Sequence, residues 1–180
     1  MNGKKKILVF HEIGYKINPW VVTPEEFRKA LVMNPDAEIH FDDGRLGAYV
    51  FGVKILEEFK RKATYFIVPN WILGREIPWR ENYSRFIALT DLEMIKNIGH
   101  KIGSHSMSHR NLKDLNDEEL LSELLASKQF LESNLGIRID DFSYPFGTVD
   151  EKIKKEAEKI YRNCYSLQSP LGIKREIYTK

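Results

Sequence analysis

Glu38-Ile39-His40-Phe41-Asp42-Asp43-Gly44 carries two adjacent carboxylates where an extended run meets a glycine. In the run, alternate residues share a face: Ile39 and Phe41 on one, His40 and Asp42 on the other, the signature of a β-strand. A second stretch, Lys101-Ile102-Gly103-Ser104-His105-Ser106-Met107-Ser108-His109, ends another extended run in two histidines four residues apart. One carboxylate and two imidazoles make a three-ligand set for a divalent metal with a fourth position open to water. The other carboxylate is left to act as a base. Each piece alone is weak, since Asp-Gly after a strand is first a turn and a lone His-x-x-x-His is commonly a surface pair. Together they point to a metallohydrolase.

Working outward, strands and helices alternate. Lys6 to Phe10 reads as a buried strand ending at His11. Thr23-Pro24-Glu25-Glu26 is a helix start with Pro at the first helical position, and its helix stops before Asn34-Pro35. Tyr49 to Lys60 has helical spacing, Ala63 to Val68 is a strand, and Thr90-Asp91-Leu92-Glu93 predicts a capped helix ending at Gly99. Asn116-Asp117-Glu118-Glu119 opens the longest helix, with Leu120, Leu121, Leu124, Leu125, Leu131 and Leu135 as its expected buried stripe. Phe142 to Tyr144 is a strand running into Pro145-Phe146-Gly147, Asp150 to Ile160 is a helix, and a last strand is expected near Glu176-Tyr178. Asn70 to Leu89 is a long irregular stretch whose Trp71, Trp79, Tyr83 and Phe86 suit either sugar faces or core cover. Such alternation means an α/β fold with a mostly parallel sheet. His11, Asp42, Asp43, His105, His109 and Pro145-Phe146-Gly147 all fall just after strands, where parallel sheets and barrels carry their active sites.

Composition narrows the classes. At 180 residues the chain, 1–180, is expected to form one domain large enough to bury a core. A formal net charge of +2 argues against a nucleic-acid surface. The one cysteine, Cys164, has no internal disulfide partner and suits a small core position. Lys4-Lys5-Lys6 before Ile7-Leu8-Val9-Phe10 mimics a signal peptide, but four apolar residues fall short of the about 7–15 of an h-region. No run approaches the roughly 20 apolar residues of a membrane span. The expectation is a cytoplasmic chain, or an extracellular one whose export signal has been removed; oligomeric state is left open.

Phe41-Asp42-Asp43-Gly44, His105-Ser106-Met107-Ser108-His109 and Phe142-Ser143-Tyr144-Pro145-Phe146-Gly147 resemble, in order and spacing, the three motifs of the polysaccharide deacetylase family (NodB-homology, carbohydrate esterase family 4). The resemblance implies a distorted, incomplete (β/α) barrel of about seven strands and metal-dependent removal of acetyl groups from N-acetylglucosamine-type saccharides. By position it implies Asp42 as general base and Asp43, His105 and His109 as metal ligands. Zinc is the usual ion, and cobalt, nickel or manganese are also compatible with such ligands. It implies that Ser106 steadies the histidine loop. Tyr144, Pro145 and Phe146 are then substrate-binding, with a backbone N–H near Phe146 for the oxyanion. Three departures stand out. His40 precedes Phe41 where Thr or Ser is usual, Ser143 replaces an arginine that orients the base in many members, and no Leu-x-His occurs near the C-terminus to supply the acid. Val9-Phe10-His11-Glu12-Ile13, with Val22-Thr23-Pro24-Glu25-Glu26-Phe27, is similar to the poly-N-acetylglucosamine deacetylase branch, where an N-terminal histidine takes that role. His11 is then the candidate acid, while His40 and His100 read as structural. The rival expectations are a degenerate glycan-binding domain without turnover and an amidohydrolase of a non-sugar amide.

Overall fold

The computed structural model describes residues 6–15, 19–77, 85–167 and 173–178. Six parallel strands run in sequence order across the sheet: β1 (Ile7–Phe10), β4 (Glu38–Phe41), β5 (Ala63–Ile67), β6 (Lys101–Ser104), β7 (Asp141–Ser143) and β8 (Asn163–Ser166). The chain then returns between the two edges. β9 (Ile173–Lys174) pairs with β8 and β10 (Glu176–Ile177) pairs with β1, both in parallel. The ring is therefore sealed by one segment broken at Arg175. Counting that segment once gives seven strands, one short of a complete eight-stranded (β/α) barrel, so the barrel is distorted and incomplete as expected from the sequence.

Helices cover the outside. α1 (Pro24–Met33) starts at Thr23, whose hydroxyl accepts from Glu26 N–H at 3.2 Å while Glu26 accepts from Thr23 N–H at 2.7 Å, the predicted capping box. A π-helical turn over Ala48–Val53 leads into α2 (Lys54–Glu58), and a short α3 (Pro69–Ile72) opens the stretch expected to be irregular. α4 (Leu89–Asn97) departs from the predicted start. Its N-cap is Ala88, not Thr90, and only half of a box forms, with Asp91 accepting from Ala88 N–H at 2.7 Å. α5 (Asp117–Leu135) is capped by Asn116, and α6 (Glu151–Ile160) by Asp150. The buried stripe of α5 is Leu120, Glu123, Leu124, Ser127, Leu131 and Leu135. Leu121 lies outside it, 42% exposed, because the 3.6-residue repeat carries it past the contact face. Two further two-residue strands, β2 (Glu12–Ile13) and β3 (Val21–Val22), form a separate small parallel pair beside the mouth of the barrel.

Alternation along the strands sorts the core into two parts. Leu8, Phe10, Ile39, Phe41, Tyr65 and Ile67 face the helices and join the large outer core. Ile7, Phe66 and Tyr165 form a small cluster of their own on the other face. His40 belongs to that inner face: it is buried, edge-on to Tyr165 at 4.8 Å and tilted against Phe66 at 5.1 Å. His100 is buried at the opposite end of the sheet, where its Nδ1 accepts from Ala63 N–H at 3.0 Å. Both fill structural positions, as the sequence suggested. No helix among the described residues is long and apolar enough to cross a membrane.

Candidate metal and catalytic site

The residue following each of five strands reaches the same place. His11 after β1, Asp42 after β4, His105 after β6, Tyr144 after β7 and Leu167 after β8 border one cleft of about 240 Å³. Asp43, Arg45, His109, Trp20, Trp71, Phe146 and Gly147 complete most of its wall. A parallel barrel presents the ends of its strands on one side, so groups distant in sequence converge there.

Two neighbouring carboxylates enter one site because the backbone reverses. Asp43 has φ 74° and Gly44 φ 73°, both in the left-handed region, which glycine adopts freely and aspartate more readily than most residues. Asp42 stays on the inner face of its strand, and Asp43 turns back toward the histidines. Asp43 Oδ1 lies 3.7 Å from His105 Nε2 and 3.6 Å from His109 Nε2. All three ligand atoms fall within 4.8 Å of one another. A tetrahedral zinc site with bonds of about 2.0–2.1 Å would set neighbouring ligand atoms about 3.3 Å apart, so the three donors fit a divalent ion with small adjustments.

Surrounding groups fix the donors. His105 Nδ1 lies 2.7 Å from the Ser143 carbonyl oxygen, to which it donates, leaving the Nε2 lone pair toward Asp43. Ser106 Oγ accepts from His109 N–H at 3.0 Å, the steadying contact implied by the motif. From α5, buried Glu123 accepts from Ser108 N–H at 2.9 Å and from Ser108 Oγ. Trp71 and Phe146 flank the His109 ring at 4.7 and 4.6 Å. Ser106, His109 and Phe146, with φ of 62°, 60° and 58°, share the left-handed conformation of Asp43. Left-handed non-glycine residues cluster where surrounding structure holds them in place.

Each aspartate has its own arginine. Arg45 Nε donates to Asp43 Oδ2 at 3.0 Å, leaving Oδ1 toward the histidines. Arg175, from the break in the sealing strand, donates to Asp42 from both ends of its fork, 2.8 Å to Oδ1 and 2.7 Å to Oδ2. Burial pushes the Asp42 carboxyl up, but Arg175 and His105 outweigh it and hold the group well below the usual carboxylate range. Burial likewise opposes ionisation of Asp43, and His11, Arg45, His109 and His105 together keep it low. Burial, with His105 beside it, draws His109 down to about 3, so its ring is neutral and free to ligate. Burial also lowers His11, against the pull of Asp43 and Asp42. The His11 ring rests on Trp20 at 4.9 Å.

All of the sequence-predicted site residues except Pro145 border the cleft. Pro145 is buried beneath it, and its carbonyl accepts from Thr148 N–H at 3.3 Å. The Tyr144 ring is fully buried, edge-on to Phe142 at 5.2 Å, with Tyr144 N–H given to Tyr165 O at 3.0 Å. Phe146 is 58% exposed at the rim. Trp71 is buried beside His109, while Trp79 and Tyr83 lie outside the described residues. Arg175, Arg45 and Glu123 escaped the sequence reading. Arg45 directly follows the Asp-Asp-Gly turn, and Glu123 sits three residues after Leu120 on the buried face of α5, which is the trace each leaves.

The sequence profile described as "Polysaccharide deacetylase" matches residues 32–163, a span that holds both aspartates, both histidines and the third motif. The chain belongs to the polysaccharide deacetylase family. Among curated members it is similar to the peptidoglycan-N-acetylglucosamine deacetylase of Bacillus cereus, 30% identical over 125 residues, covering 68% of this chain and 40% of the relative. It is also similar to chitin deacetylase 1 of Cryptococcus neoformans, 26% identical over 133 residues, covering 72% of this chain and 26% of that protein. The chain thus spans half or less of the length of such relatives. Among solved structures, IcaB from Ammonifex degensii superposes with a TM-score of 0.82 at 15% identity, covering 97% of this chain and 91% of that one. The Streptococcus pyogenes deacetylase PplD, determined with acetate, gives 0.79 at 18% identity, covering 97% and 92%. These likenesses establish the deacetylase fold over nearly the whole chain.

Proposed function

We propose that this chain hydrolyses the acetamido group of N-acetylglucosamine-type saccharides in a metal-dependent reaction. The observation that carries the reading is an ionised, arginine-held Asp42 set against an Asp43–His105–His109 donor cluster at the mouth of the barrel. A divalent ion held by Asp43, His105 and His109, with zinc best suited to one oxygen and two imidazole nitrogens, would supply Lewis acidity toward the acetyl carbonyl and the attacking water. Asp42 takes a proton from that water as its oxygen bonds to the acetyl carbon. The Phe146 N–H, in the turn that borders the cleft, is the donor assigned to the developing oxyanion. The C–N bond then breaks with its electron pair moving to nitrogen. His11 in its imidazolium form, which Asp43 and Asp42 favour against burial, provides the proton that lets the sugar leave as an amine. Acetate and the free amino sugar are the products.

The cleft has room for about one sugar unit, its volume of about 240 Å³ falling just below the about 300–1,000 Å³ of typical ligand pockets, so further units of a polymer would lie outside it. Trp20 and Phe146 at its rim offer apolar faces for a pyranose ring. The names of the relatives, chitin deacetylase and peptidoglycan-N-acetylglucosamine deacetylase, support the choice of saccharide. The test is acetate release from N-acetylglucosamine oligomers with and without chelator. Chelator-sensitive release, restored by added zinc, is the expected result. Release from simple amides but from no saccharide would move the assignment to a non-sugar amidohydrolase.

A further inference from the structure

We propose that Arg175 is the positioning residue for the base of this deacetylase, delivered by the strand that seals the barrel, and that Asp42 Oδ2 is the oxygen that receives the proton. The inference rests on the hydrolytic reading above. Lys174 and Glu176 on either side of Arg175 are exposed, whereas Arg175 is 1% exposed, so the segment sends this one side chain inward. Its backbone N–H donates to Ser166 O at 2.9 Å, which fixes it in the seam between β8 and β1. From there the guanidinium spans both oxygens of Asp42, lies 5.2 Å over the Phe66 ring, and donates through Nη2 to Ser143 Oγ.

This is an expensive arrangement if stability were its only consequence. Arg175 Nε has no partner among the described residues, and buried ion pairs in general stabilise a fold no more than apolar residues of similar volume. What the fork does supply is direction. Two parallel N–H bonds fix the plane of a carboxylate as a single bond or a point charge cannot. In that plane, Oδ2 is the oxygen that faces the ligand cluster, 3.8 Å from His105 Nε2. Ser143 Oγ lies 3.4 Å from the same Oδ2. Position 143 therefore faces the same pocket from β7, and its small side chain leaves room for the guanidinium arriving from position 175. An arginine at either position, not both, can hold the base.

The experiment compares kcat, KM and zinc content of wild type, Arg175→Gln, Arg175→Lys, Arg175→Ser and the exchange Ser143→Arg/Arg175→Ser, using N-acetylglucosamine oligomers and an aryl acetate ester. Arg175→Gln should lower kcat by about 10²-fold, the scale of an angstrom-level misplacement of a reacting group, with KM and zinc content within about twofold of wild type. Arg175→Lys keeps the cation without the fork and should recover less than a tenth of wild-type kcat. The exchange variant should regain at least tenfold over Arg175→Ser, which a merely structural arginine would not allow. An Arg175→Gln enzyme within threefold of wild-type kcat overturns the inference, and so does an exchange variant that folds, binds zinc and regains nothing. If Arg175→Gln does not fold, a folded Arg175→Lys enzyme with wild-type kcat overturns it equally. A wild-type protein that binds zinc but releases acetate from neither substrate removes the hydrolytic reading itself, an outcome distinct from an active wild type unaffected by these changes.

Discussion

Glu123 makes the sharpest test of how a helix outside the barrel governs the proposed metal ligands. Its carboxylate, 9% exposed on α5, receives Ser108 N–H at 2.9 Å and Ser108 Oγ as well. Ser108 immediately precedes His109, whose left-handed backbone, φ 60°, needs external support. Glu123→Ala leaves a buried N–H and a hydroxyl without their acceptor. Each lost bond to a charged acceptor costs about 1.5–3 kcal/mol, so the pair should lower unfolding free energy by about 3–6 kcal/mol. Glu123→Gln keeps one acceptor oxygen and turns its amide toward a hydroxyl that can also accept, so the loss should stay near 1–2 kcal/mol. Loosening a group behind a metal ligand weakens metal binding by roughly 10–100-fold. Urea denaturation of the metal-free protein gives the first quantity, and competition with a chromophoric zinc chelator gives the second. If Glu123→Ala matches wild type in both, α5 is only a cover and the histidine loop holds itself.

The two aspartates should separate by readout: Asp42→Asn abolishes acetate release with zinc content near wild type, while Asp43→Asn loses both, as elemental analysis after dialysis will show. His11→Ala should fold and keep its metal yet turn over about 10²–10⁴-fold more slowly, the usual contribution of a general acid; near-normal turnover would leave the amine's proton donor unassigned. Burial, with Arg175 adding to it and Asp42 opposing, draws His40 from 6.5 to about 3. The unfolded chain therefore binds the extra proton first, and stability present above pH 6.5 is lost as pH falls toward 3, by about 2–3 kcal/mol at pH 4.5. Asp42 and Asp43, held low in the folded state, add their own loss only below about pH 4. His100, His109 and His11 are lowered by burial in the same sense. His40→Leu should therefore remove only its own share and make the stability profile shallower between pH 6.5 and 4.5 in denaturant titrations, and an unchanged slope would show that His40 contributes none of it.

Much of the barrel was legible because its strands alternate and its helices begin with good caps. Ile39 and Phe41 against His40 and Asp42 gave the inner and outer faces correctly, and Thr23, Asn116 and Asp150 marked three helix starts. β2 and β3 are two residues each, too short for any period to register. α4 was misplaced because its cap comes from Asp91 reaching back to a residue with no polar side chain. Arg175 was illegible for a different reason. Alternation is read from contrast between polar and apolar neighbours, and Lys174-Arg175-Glu176 has none, although the middle residue is buried and the outer two are exposed. Nothing local could show that its partner lay at Asp42, joined only when the last strand closes the ring.

That closure explains how neighbours in sequence take different duties. On a regular strand, Asp42 and Asp43 would point to opposite faces, and the second would leave the barrel mouth. The left-handed turn at Asp43 and Gly44 brings it back, and the two arginines then make the carboxylates unequal. Arg175 engages both oxygens of Asp42, so that carboxylate is anchored to the protein and keeps its charge. Arg45 engages one oxygen of Asp43 and leaves the other directed at His105 and His109, which suits it to share a metal. On the proposed reading, base and ligand are distinguished by which arginine each meets, one supplied two residues away in the turn and the other from position 175 in the segment between β9 and β10.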